Sequence, residues 1–255
     1  MTQIEGQIPR IRSHSTAVYA IAATHLYFSY PHHPPILEDI NFQIFPGQKV
    51  GTIGANGAGK TTLFLTICGI LKANAGEVQV FNQPVQAGRF HGDVGLVFQN
   101  PADQLFCPSV WDDVAFGVEN LGFPPEEVAK RVTAALTTTG VLHLADRIPH
   151  HLSGGEKCMV AIASAIAMQP RLVLYDEPSA NLDLRARRRL IHFLQESSTT
   201  QLIASHDLEL ILEVCDRVLL FNQGRLIADG SPHQIMSDRP LMEANGLETP
   251  PSLKS

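Results

Sequence analysis

The sequence predicts an α/β fold: a mostly parallel sheet carrying helices, with a helical block inserted in it. Three observations predict this. The apolar run "KVGTIG" leads directly into the glycine-rich "ANGAGKTT" and then into a helical pattern. Further along, "RLVLYDE", "TQLIASH" and "RVLLFNQGRLIADG" alternate with helical segments, the rhythm of a parallel sheet. Between these two groups, from Pro101 to about Gln169, the texture is helical.

Taken in order, residues 1–16 read as a flexible tail. "AVYAIAATHLYFSY" and "NFQIF" read as strands separated by the turn-rich "PHHPPILED". After the glycine-rich loop, Leu63, Phe64, Ile67, Cys68 and Leu71 share one helix face, and "GEVQVFNQ" and "VGLVFQN" are further strands. In the helical block Pro125 suits a first helical turn, and Val128, Val132, Ala135 and Leu136 then recur at helical spacing. Helices are expected from about Leu184 to Gln195 and from Asp207 to Cys215. The division is therefore a core of residues 17–100 and 170–235, a helical subdomain at 101–169, and a C-terminal tail at 236–255, loose from about Leu241.

The 255 residues suffice for one large domain or a domain with a subdomain. A formal charge of −6 gives no electrostatic support to a nucleic-acid partner, and none is expected. No apolar run reaches the length of a membrane span, and "MTQIEGQIPRIRSHS" lacks the apolar core of a signal peptide. Cys68, Cys107, Cys158 and Cys215 lie far apart without a C-x-x-C pair, which argues against a disulfide framework and a zinc site. A reducing cytoplasm is the expected setting. The doublets His32-His33 and His150-His151 lack the i, i+4 metal spacing and read as solvated loop residues.

The chemistry starts at Gly54. "GANGAGKTT" satisfies G-x-x-x-x-G-K-[ST], with a strand before it and a helix after it. In such a loop successive backbone N–H groups wrap phosphate oxygens, and the helix N-terminus adds its positive end. Gly54, Asn56, Gly57, Ala58 and Gly59 form the wrap; Lys60 is expected to reach the β- and γ-phosphates of ATP, Thr61 to ligate Mg²⁺, and Thr62 to hold a phosphate oxygen. Magnesium needs an acidic partner. The strand "RLVLY" ends in Asp176-Glu177, so Asp176 is expected to hold the metal and Glu177 to face the attacking water as general base.

A second glycine-rich helix start, "LSGGE" from Leu152 to Glu156, has no place in that single site. Ser153 is a good N-cap, and Gly154 and Gly155 leave the backbone uncovered for an anion. With the phosphate loop, "LSGG" and "LVLYDE" in this order, the chain resembles the ATP-binding-cassette (ABC) ATPases over about residues 18 to 235, and "VFQNPADQLF" is similar to the ATPases of energy-coupling-factor transporters. The resemblance implies an ABC-type P-loop NTPase with an N-terminal antiparallel β subdomain. It assigns Gln99 to Mg²⁺, water and contact with a membrane partner, Tyr30 to stacking on adenine, Asp183 to communication across a dimer, and His206 to the γ-phosphate and to orienting Glu177.

It further implies that Ser153, Gly154, Gly155 and Glu156 close on ATP held by another subunit, in a homodimer or a heterodimer with a sister ABC ATPase. The implied machine works on the cytoplasmic face of the cell membrane, peripherally, with an integral transmembrane subunit and a substrate-capture subunit. The implied task is uptake of a micronutrient, a metal ion or a vitamin, driven by ATP hydrolysis. A low-activity regulatory subunit, or a soluble ABC protein of DNA repair or translation, are the other functions open to such a chain. The family commonly has polar or basic residues where this chain has Cys158-Met159, so altered packing of that helix is expected, without loss of ATP binding.

Overall fold

The computed structural model describes residues 17–254, so the expected tail at 1–16 lies outside the described residues. Strands β1 (Ile21–Phe28), β2 (Leu37–Ile44), β4 (Ala75–Val80) and β5 (Gln83–Pro84) form an antiparallel sheet in the order β2-β1-β4-β5. Strands β3 (Lys49–Ile53), β6 (Val94–Val97), β7 (Leu172–Asp176), β8 (Thr200–Ala204), β9 (Arg217–Asn222) and β10 (Arg225–Gly230) form the second sheet, ordered β10-β9-β3-β8-β7-β6. Every pair in it is parallel except the β9–β10 hairpin. That hairpin closes through Gln223 (φ +46°) and Gly224 (φ +76°), the left-handed pair that a two-residue turn matched to strand twist requires.

The central strands are apolar on both faces because both faces are covered. Along β7, Leu172 and Leu174 join one core while Val173 and Tyr175 join the other. The same alternation separates Leu219 and Phe221 of β9 from Val218 and Leu220. The first core lies between the two sheets and encloses α1 (Lys60–Ile67), whose Leu63, Phe64 and Ile67 are fully buried. The second core holds α4 (Gly154–Ala167), α5 (Leu184–Glu196) and α6 (Leu208–Val214) together with the helical block.

In that block, α2 (Val110–Asn120) is capped by Ser109, whose side chain accepts from Asp112 N, and α3 (Pro125–Thr138) starts on its proline. The residues expected on its inner face, Val128, Val132, Ala135 and Leu136, are all buried. α4 runs between α2, α3 and the sheet, with Cys158 to Ala163 buried without interruption.

Two differences from expectation stand out. Strand β2 begins at Leu37, inside the stretch read as a turn, because Leu37 and Ile40 fill the inter-sheet core. Residues 236–255 are not a loose tail as far as they are described: they complete α7 (Pro232–Ser237), then form α8 (Arg239–Ala244) and a 3-10 turn at Pro251–Leu253. Met236 and Met242 are fully buried, and Ser252 N and Oγ donate to the Glu209 carboxylate of α6 at 3.0 and 2.7 Å.

Candidate nucleotide site

Parallel strands deliver their following loops to one edge, so the carboxyl ends of β3, β6, β7 and β8 bring Gly54–Lys60, Gln99, Asp176-Glu177 and His206 together. From Asn56 onward these residues line a cleft of about 840 Å³. Gly54 (φ +154°) passes so near β9 that an added Cβ would lie 2.2 Å from the Phe221 carbonyl oxygen. Gly59 (φ +102°) is the N-cap of α1 in a left-handed conformation, with the Ile36 carbonyl oxygen 2.8 Å from where a Cβ would stand. Only glycine allows that turn against that neighbour.

Lys60 is buried under this loop. Its Nζ donates to Gly54 O at 2.8 Å and Ala55 O at 3.4 Å, and stands 4.0 Å from Glu177 Oε1. Burial lowers its pKa below the ordinary lysine value, while the Glu177 and Asp176 charges oppose that shift. Thr61 Oγ1 donates to Asp176 Oδ2 at 2.7 Å. Asp176 is buried, and burial raises its pKa against the Thr61 hydrogen bond. Its other oxygen, Oδ1, is buried with no hydrogen-bond partner. An orphaned carboxylate oxygen beside a threonine hydroxyl is a hard-oxygen donor set, which fits Mg²⁺; Thr61 and Asp176 would hold the ion, and it would neutralise charge on the phosphate oxygens.

Glu177 follows at φ +49°, an uncommon backbone conformation for a non-glycine residue. Hydrogen bonds hold it there: its N–H donates to Ala204 O at 2.9 Å, and its carbonyl accepts from Ala180 N at 3.1 Å. The turn directs the carboxylate at the β8 end, where Oε2 accepts from His206 N at 2.9 Å and Oε1 lies 3.3 Å from His206 Nε2. Oε1 is otherwise a buried acceptor without a hydrogen-bond partner. A carboxylate fixed by one oxygen, with the other lacking a hydrogen bond beside the cleft, suits proton abstraction from a water that reaches it.

Of the other expected residues, Asn56, Gly57, Ala58, Thr62 and Gln99 line the cleft. Tyr30 does not; it packs edge-on against Phe28 with ring centroids 4.9 Å apart. The cleft wall near it is His33 to Ile36 and Glu38, and the floor includes Asn222 to Arg225 of the β9–β10 turn. Sequence reasoning missed both groups. The signal for the second was Gly224 in "NQGR", where a Cβ would lie 2.5 Å from Ile36 O.

The second glycine-rich start is elsewhere. Ser153 caps α4 in a capping box: its Oγ accepts from Glu156 N at 3.3 Å, and Glu156 Oε2 accepts from Ser153 N at 2.8 Å. Hydrogen bonds from Ser153 hold the Glu156 pKa below its ordinary value. Among the described residues none of Ser153 to Glu156 lines the cleft, and Ser153 and Gly154 are exposed. Asp183 caps α5, accepting from Ala186 N at 2.8 Å.

Fold and site together define a P-loop ATPase. Residues 37–180 match the ABC transporter family. The chain is 53% identical, over 92% of its length and 83% of the relative's, to a Synechocystis protein described as an ABC transporter ATP-binding protein. It is 45% identical, over 88% of its length and 75% of the relative's, to the energy-coupling factor transporter ATP-binding protein EcfA of Methanothermobacter thermautotrophicus. Among solved structures, cbiO1 of Clostridium perfringens, part of the transporter complex cbiONQ, superposes with a TM-score of 0.79 at 35% identity, covering 89% of this chain and 94% of that one. The chain belongs to the ABC transporter family and is an ATP-binding ATPase subunit whose relatives include the energy-coupling-factor type.

Proposed function

We propose that this chain powers an importer of the energy-coupling-factor type, in which two ATPase subunits close on two ATP molecules and hydrolysis with Mg²⁺ reopens them. The observation that carries the reading is the separation of the two glycine-rich starts. Lys60, Thr61, Asp176, Glu177 and His206 converge on one cleft, while the α4 start lies away from it, with Ser153 and Gly154 exposed and Gly155 half-buried. A helix N-terminus attracts anions, and a second subunit's bound phosphate would meet it in a head-to-tail pair. ATP touching both halves favours the closed state, and loss of the γ-phosphate removes that preference. Gln99 would sense metal and water, Asp183 would sit between the two sites, and Tyr30 would have to turn from its packing on Phe28 to stack on adenine.

The chain would do this at the cytoplasmic face of the membrane, against a transmembrane subunit. Among the described residues no helix is long and apolar enough to cross a bilayer. An apolar groove of about 410 Å³, lined by Ile70, Phe90, Phe98 and Met168, opens beside Gly117 of α2, and Phe90 is 67% exposed. Exposed aromatic groups around a groove suit a protein partner. The cargo, a metal ion or vitamin, would be chosen by the membrane-embedded partners. The test is to purify the chain from native membranes with Mg²⁺ and ATP and identify what accompanies it. Copurification with a transmembrane and a capture subunit supports the reading; a lone monomer with ATP present overturns it.

A further inference from the structure

The unusual Cys158 has a specific contact. Its thiol is buried one turn inside α4 and donates to the carbonyl oxygen of Pro178, Sγ to O 3.3 Å. Pro178 is itself buried and directly follows Glu177. A second contact lies beside it: Gly155 sits so close to α5 that a Cβ on it would lie 2.6 Å from the Cβ of Ala186. The helix start with Ser153 is thus seated on the segment from Glu177 to Ala186.

That segment is fastened in turn to the His206 corner. Arg187 Nη2 donates to Asp207 Oδ1 at 2.9 Å, and the hydroxyls of Ser179 and Ser205 lie 3.4 Å apart. Glu177 therefore has α4 on one side and His206 on the other. Its left-handed backbone, at φ +49°, is held by hydrogen bonds on the β8 side, and Pro178 carries the contact to α4 on the other.

We propose that Cys158 is a positioning residue for hydrolysis: its thiol ties α4 to the Pro178 carbonyl and so holds Glu177 in register with the helix start that carries Ser153 to Gly155. A shift of α4 would then be felt at the general base of the same chain. A thiol suits the place because it packs as a small apolar group yet still offers a donor to an otherwise apolar seam. The inference rests on the two-subunit reading only for what the helix start touches.

The test compares Cys158→Ser, which keeps a donor, with Cys158→Val, which fills the space without one. With ATP turnover measured on the purified chain with its partners, kcat of C158V should fall roughly three- to tenfold, the worth of one hydrogen bond. KM for ATP and nucleotide affinity should stay within about twofold, since the contact would act on chemistry and not on binding. C158S should keep kcat within about twofold of the parent. Parental kcat in C158V, or an equal fall in C158S and C158V, overturns the proposal. Should C158V fail to fold, Cys158→Ala removes the donor without adding volume and is read in the same way. ATP-dependent dimerisation of Glu177→Gln tests the two-subunit reading separately: a dimer there with full turnover in C158V removes the positioning role alone.

Discussion

The Thr61 hydroxyl and the Asp176 carboxylate, 115 positions apart in sequence, meet at 2.7 Å at the edge of the parallel sheet. The pair has a carboxylate oxygen without a hydrogen-bond partner and a buried position, so its ionisation would be coupled to any Mg²⁺ it holds. Asp176→Asn should abolish Mg²⁺-dependent turnover, and Thr61→Ala should weaken Mg²⁺ binding by about tenfold or more, measured by Mg²⁺ titration of ATPase activity. Burial raises the Asp176 pKa above the ordinary 3.8. Mg²⁺ binding should therefore weaken, as pH falls, at a higher pH than an exposed aspartate would give. For the metal-free protein the sign reverses. Stability contributed by protonated Asp176 is complete below the ordinary value and is lost as pH rises through the raised one.

Glu177→Gln keeps the shape of the proposed general base and removes its proton affinity. Turnover should fall roughly 10²- to 10⁴-fold while ATP still binds. Lys60 keeps its carbonyl partners Gly54 and Ala55 in the variant, so the phosphate loop should stay assembled. Light scattering with ATP should show a dimer that persists where the parent's dissociates. Parental turnover in E177Q would remove Glu177 from the role of base.

The phosphate loop, Asp176, Glu177 and the inner face of α3 were legible because each rests on local spacing that the parallel sheet then gathers at one edge. Other parts depend on distant partners. "PLMEANGL" has no strong helical period, and α7 and α8 are each six residues long, below the length at which a periodic stripe stands out. They hold because Met236 and Met242 reach the core and because Ser252 meets Glu209, 43 residues earlier. The cleft wall at His33 to Ile36 was hidden for the same reason: prolines signal a turn, but nothing local says that the turn faces Gly59. Cys158 was legible as unusual, and its partner Pro178 was not.

Met242 provides a stability test of the C-terminal helices. It is fully buried, joined to the second core, and α8 is anchored at both ends: Asp238 caps its start, and Asn245 accepts from Asn222 Nδ2 at 2.9 Å near its end. Met242→Ala should destabilise the chain by about 2–5 kcal/mol in urea unfolding, the cost of emptying a packed core site. A loose tail would give no change. Because Asn222 lines the nucleotide cleft and Gly246 sits 3.7 Å, by its added Cβ, from Ala55 of the phosphate loop, nucleotide affinity should fall with stability.

Gly155 gives the sharpest test of how α4 is seated. Alanine is the better helix former, so Gly155→Ala at a free helix position would gain up to about 1 kcal/mol. Here the new methyl would stand 2.6 Å from Ala186 Cβ, inside any contact two methyl groups accept. Neither atom can turn away, since both are fixed to helix backbone. Relieving the clash means moving α4 from α5, at a cost of about 1–3 kcal/mol, so the net change should be destabilising. The same displacement would shift Ser153 and Cys158 relative to Glu177, and turnover should fall with stability. Ala186→Gly in the same chain makes room for the methyl and should recover both. Recovery in the double variant, measured by urea unfolding and ATPase assay side by side, distinguishes contact between these two residues from a general intolerance of side chains at Gly155. If Ala186→Gly restores neither quantity, the seating of α4 on α5 is not what requires glycine at this position.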